Sequence, residues 1–118
     1  MSTQKLPVFS ADSALGTLWQ RASEHMTDDE LKWLAEGTPD LVQLEAGNLA
    51  DITSGLGCLI DNDQTSGAFS ERSEVAGILW SIAHQVGVLG SLAQIGGHAA
   101  SLARYRASTK AKGGRAGT

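Results

Sequence analysis

The stretch "DNDQTSGAF", residues 61–69, holds the first residues whose types and spacing suggest chemistry. Asp61, Asp63 and Thr65 alternate ahead of a glycine, as the oxygen ligands of a helix–loop–helix calcium site do. Such a loop needs ligands at positions 1, 3 and 5, glycine at 6 and a bidentate glutamate at 12. Counted from Asp61, position 6 is Ser66 and position 12 is Arg72, a cation where the carboxylate belongs. Counted from Asn62, Gly67 falls correctly, but the first ligand is neutral and position 12 is Ser73. Both registers fail. The stretch reads instead as an interhelical turn, in which Gly67 takes a positive φ and Ser70 or Ser73 caps the next helix. Phe69 is expected to tuck back onto the end of the hairpin.

The other reactive side chains are scattered. His84 and His98 are fourteen positions apart, about 21 Å along a continuous helix, so they cannot share a metal within one chain. Neither carries the partner at i+3 or i+4 that helical metal sites use. Cys58 follows "GLG" near the end of a helix, where the negative pole of the dipole raises a thiol's pKa and disfavours a nucleophile. It is expected to be a small buried hydrophobe. The sequence has no phosphate-binding loop with a lysine and no Ser-His-Asp set on a recognisable elbow. No catalytic residue, cofactor or metal ligand is therefore assigned.

Charge is more informative. The 118-residue chain carries −4 overall, yet residues 1–103 hold all 13 acidic residues and only Lys5, Arg21, Lys32 and Arg72 as cations. The remaining cations, Arg104, Arg106, Lys110, Lys112 and Arg115, fall in the last fifteen residues. This basic tail could hold phosphates by counterion release, but with one aromatic, Tyr105, it has no means of reading bases. The carboxylates Asp28, Asp29, Glu30, Glu36 and Asp40 gather at one helix start, where they complement the dipole. An acidic cluster can also mimic nucleic acid; the simpler reading is a solvated face with capping duties.

Few residues in this chain favour strands, and the apolar set is dominated by Ala, Leu and Gly. Ser10 is a plausible N-cap for a helix whose face is Ala11, Ala14, Leu15, Leu18, Trp19 and Ala22, ending near His25. In "MTDDELKWL", Thr27 and Glu30 form a capping box with Met26 and Leu31 at the staple positions. At Gly37-Thr38-Pro39 the helix either restarts or continues with a kink. Leu41, Leu44, Leu49, Ile52, Leu56, Leu59 and Ile60 carry the stripe onward, and Asn48 lies at its edge. A third helix is predicted over about 74–105, with a break at Gly96-Gly97 as an alternative end. Its interior glycines 77, 87, 90, 96 and 97 cost about 1 kcal/mol each against alanine, and close approach to another helix is the expected reason.

That helix has one face built on Val75, Ile78, Leu79, Ile82, Val86, Leu89, Ala93, Gly96, Ala100 and Ala103, and a second, partly apolar face at Trp80, His84, Val88, Ser91 and Ile95. A three-helix monomer buries one stripe per helix, so the second face implies a partner or coverage by the N-terminal helix. The expected fold is all-α: a short N-terminal helix and a long antiparallel hairpin, completed as a helical bundle by homodimerisation. Residues 1–103 form one domain and 104–118 a basic, disordered tail.

A lone cysteine suits a reducing cytosol, and "MSTQKLPVF" has no long apolar run, so a cytoplasmic protein without a signal peptide is expected. Polar residues from Ser81 to His98 interrupt the most apolar segment, so no membrane span is expected either. The functional expectation is a non-enzymatic protein–protein interaction module, a small bacterial regulator or inhibitor acting as a homo-oligomer. The alternatives are a nucleic-acid accessory protein using the tail and, behind it, a metal-binding or enzymatic protein using His84, Cys58 or the 61–74 loop.

Overall fold

The computed structural model describes residues 5–62 and 72–116. Those residues form three helices and no strand: α1 (Ala11–Ser23), α2 (Asp28–Asp61) and α3 (Arg72–Ala116). The fold is all-α. The turn chemistry proposed for Asp63 to Phe69, and for Ser70, lies outside the described residues.

Each of the first two helices begins where its sequence dictates. The Ser10 side chain accepts from the Ser13 N–H while the Ser13 hydroxyl accepts from the Ser10 N–H, so α1 opens with a capping box of two serines. Thr27 Oγ1 accepts from the Glu30 N–H at 3.1 Å, and Glu30 Oε1 accepts from the Thr27 N–H at 2.9 Å. These bonds hold the Glu30 carboxyl below its ordinary value, the backbone N–H of Thr27 contributing most. Met26 is half-buried and Leu31 fully buried, as the staple positions require.

α2 is one continuous helix with Pro39 inside it. A proline removes one intrahelical bond and crowds the preceding turn. Here Thr38, one position earlier, is buried against α3, and Leu31 and Leu49 flank it on the same side. Tertiary packing thus holds the helix through a residue that would end it in isolation. α3 likewise runs unbroken through Gly96-Gly97. It continues to Ala116, through the segment read from sequence as a disordered tail. Residues 102–112, "LARYRASTKAK", are mostly good helix formers, and contacts to the start of α2 hold them in place.

α2 and α3 are antiparallel without slippage: Asp28 meets Arg106, Thr38 meets Gly96, and the helices close at Asn62 and Arg72. α1 runs parallel to α3, with Asp12 beside Ser91, Trp19 beside His98 and Ser23 beside Arg106. Only the half of the hairpin nearest the α1–α2 turn therefore has three helices, with α1 and α2 each packed on α3 rather than on each other. There sit the buried Leu31, Ala99, Ser23 and Ser91. The other half is two helices side by side. The molecule extends 79 × 39 × 14 Å, a layer little more than one helix thick.

Candidate functional site

The Glu24–Thr27 turn wraps α3 at Arg106. The Arg106 guanidinium donates to the Met26 carbonyl, to the Ser23 carbonyl at 3.3 Å and to Asp28 Oδ1 at 3.4 Å. Lys110 Nζ donates to Asp28 Oδ2. Ser23 O and Met26 O belong to a helix end and a turn that lack intrahelical partners, so the guanidinium serves as their cap. The hydrogen bond from Lys110, followed by that from Arg106, holds the Asp28 carboxyl below its ordinary value of 3.8. Of the five cations named as a nucleic-acid tail, Arg106 and Lys110 are thus tied to the acidic start of α2. Arg104 and Lys112 are exposed, and Arg115 lies in the last turn of α3.

Along α3, α1 is fastened at two further points. Ser91 Oγ donates to Asp12 Oδ1 and also lies 3.1 Å from the Gly87 carbonyl. The Trp19 indole N–H donates to His98 Nδ1 at 2.7 Å, with the two rings edge to face and 5.5 Å between centroids. His98 is thereby a docking residue for α1.

The second face of α3 predicted from sequence is divided by this arrangement. Ser91 is buried under α1, and Ile95 is half-buried. Trp80 is 68% exposed, His84 is exposed and Val88 half-buried, because α1 begins only at the level of Gly87 to Ser91. Below that point an open groove between α2 and α3 is lined by Glu45, Leu49, His84, Val88 and Leu92. On the opposite side of the hairpin a second open groove carries Val42, Ala46, Ala50, Val86, Gly90 and Ala93. That second groove was not separated from the intramolecular stripe in the sequence, since both faces of a two-helix layer are apolar here.

Three expectations are corrected. Cys58 is exposed rather than buried, because it follows Gly57 on the side of α2 away from α3. Of the apolar stripe of α2, Leu49 is buried and Leu56 half-buried, while Leu41, Leu44, Ile52 and Leu59 stand 46–61% exposed. Of the interior glycines of α3, Gly96 alone meets another helix, while Gly77, Gly87, Gly90 and Gly97 face open space. Among the described residues, no three His, Cys, Asp or Glu side chains come together around a metal-sized centre.

α3 also contains, within Glu74–Gly113, a window long and apolar enough to cross a membrane, of which only 6% is buried. Length and composition alone carry that observation, and a core helix waiting to be covered satisfies the same test. Comparison of the chain with protein-family models, with curated proteins and with solved structures returned no match.

Proposed function

We propose that this protein is a non-enzymatic interaction module, a small regulator or inhibitor that works through self-association and through the apolar surface its fold leaves uncovered. One observation carries the reading. The described residues bury only Leu31, Leu49 and Ala99 as hydrophobic core, while Leu41, Leu44, Ile52, Leu79, Trp80 and Val86 remain 46–68% exposed along the hairpin. A stable domain is normally built from at least two packed layers, and this chain supplies one. Apolar surface on that scale is characteristic of an interface. Arg106 and Lys110 of α3 are held by Asp28 at the start of α2, which takes two of the cations away from a nucleic-acid role and favours a protein partner.

Light scattering on a sizing column at moderate salt tests the reading. The expected result is a mass of two chains or a higher multiple at micromolar concentration. A single-chain mass at every concentration, with no change in hydrodynamic behaviour, rules out the self-associating form.

A further inference from the structure

From the segment that precedes α1 we infer that Leu6–Phe9 is a strap able to close over α3 below α1, on the face that carries Trp80 and His84, where it competes with a partner for the surface. The competition rests on the interaction reading above; the strap's own contacts do not. In the structure the segment folds back on the outer side of α1, with Lys5, Leu6 and Pro7 beside Thr17, Gln20 and Arg21. The Val8 carbonyl accepts from the Ser13 hydroxyl at 2.7 Å and fastens it there. That position buries none of its large side chains: Leu6 is 72% exposed, Val8 91% and Phe9 88%. Three apolar side chains within four residues are left in water, and an apolar surface within their reach would take them up.

Such a surface begins beside Phe9. α1 touches α3 through Ser91 and His98, seven positions apart. Seven positions earlier on the same side of α3 stands His84, exposed, with Trp80 one turn further at 68% exposure. The track that α1 follows therefore continues past its first residue with nothing on it. Because α1 runs parallel to α3, the residues ahead of Ser10 are the ones that can extend down this track. Phe9 already borders a cleft of about 430 Å³ whose α3 side is Ala83, His84, Gly87 and Val88.

Reach and shape fit. Pro7 favours the polyproline II conformation, with three residues per turn, so Leu6 and Phe9 project to the same side. From Ser10 to Leu6 such a segment spans about 12 Å, the length of about eight residues of α3. Asp12 stands level with Ser91, so a strap leaving Ser10 sets Phe9 over Ala83 and Gly87 and brings Leu6 to the level of Trp80. Ala83 and Gly87 leave room for a ring: a β-carbon added at Gly87 would meet nothing within 4 Å. No charge is taken out of water, since neither residues 6–11 nor residues 75–103 contain Asp, Glu, Lys or Arg.

Nuclear Overhauser contacts in the full chain test the strap, with isotope filtering of a mixed labelled and unlabelled sample to separate contacts within a chain from those between chains. The expected result is contact within one chain from the Phe9 ring to the Ala83 methyl and from the Leu6 methyls to the Trp80 indole. Contacts of Leu6 and Phe9 confined to α1, or the Ala83 and Trp80 contacts arising between chains, overturn the strap and leave the interaction reading standing. The double variant Leu6→Ser, Phe9→Ser, whose two side chains are exposed and outside the helices, should keep the helical content of the wild type and lower the self-association Kd at least threefold by sedimentation equilibrium. An unchanged or higher Kd overturns the competition. Strap contacts in a chain that stays monomeric in both forms support the strap and overturn the self-associating reading instead.

Discussion

Thr38 of α2 and Gly96 of α3 approach so closely that a β-carbon on Gly96 would lie 2.6 Å from the Thr38 Cβ and 2.7 Å from its Cγ2. Thr38 is buried and precedes Pro39, so this tight helix–helix contact falls beside the one position where α2 lacks a backbone donor. The nearest atom is the Thr38 Cβ, which is fixed to the backbone, so no rotamer change at Thr38 relieves the contact.

Gly96→Ala should therefore destabilise the protein despite alanine's better helix propensity. Overpacking costs about 1–3 kcal/mol and the propensity gain returns about 1, so a net loss of up to about 2 kcal/mol is expected. Gly47→Ala, on the exposed side of α2 with nothing within 4 Å, should instead gain up to about 1 kcal/mol. Urea midpoints at one fixed protein concentration measure both, since association shifts apparent stability. Equal shifts of the two variants would contradict the close contact.

Trp19→Phe keeps a ring on His98 and removes the indole N–H that His98 Nδ1 accepts. A loss of about 0.5–1.5 kcal/mol is expected, the usual net worth of one such bond. His98→Ala should cost a comparable amount. The double variant should cost less than the two summed, because both remove one interaction. Strict additivity in urea unfolding would show that α1 is held by other contacts.

Asp28 ties the start of α2 to Arg106 and Lys110, and those partners depress its carboxyl below 3.8. A depressed carboxyl contributes stability that is complete above its unfolded value and is lost as pH falls through the folded value. The clasp should thus be intact at neutral pH and open only under acid conditions, below about pH 4. Backbone amide NMR shifts of Arg106 to Lys110 should follow that single acid transition. In Asp28→Asn the transition should vanish, and the last turns of α3 should fray already at pH 7. Unchanged shifts in the variant would contradict the clasp.

The helix starts were legible because capping is local. Thr27 and Glu30 announce α2 within four residues, and the hydrogen bonds form as spaced. The antiparallel hairpin was legible because two long apolar stripes are separated by a short polar run. The fate of Pro39 and of Gly96-Gly97 was not, since local propensity argues for a break at each. Their juxtaposed small and branched side chains decide otherwise, and no window of one helix contains that information. The extension of α3 to Ala116 was not legible for a similar reason. Its cations look solvated until Asp28, some eighty positions earlier, is brought beside them.

The candidate surface was half legible. Of the stripe singled out by helical spacing, Trp80 and His84 are exposed, Val88 and Ile95 half-buried, and Ser91 buried beneath α1. Spacing reports that side chains share a face; it does not report which neighbour covers it. For this protein, composition and periodicity alone determined an all-α chain, its capped helix starts and a surplus of apolar surface. The tertiary structure decided where α1 lies, how far α3 extends and which face stays open. Those outcomes depend on contacts between residues far apart in the chain, such as Asp12 with Ser91 and Thr38 with Gly96, whose energy exists only once the helices meet.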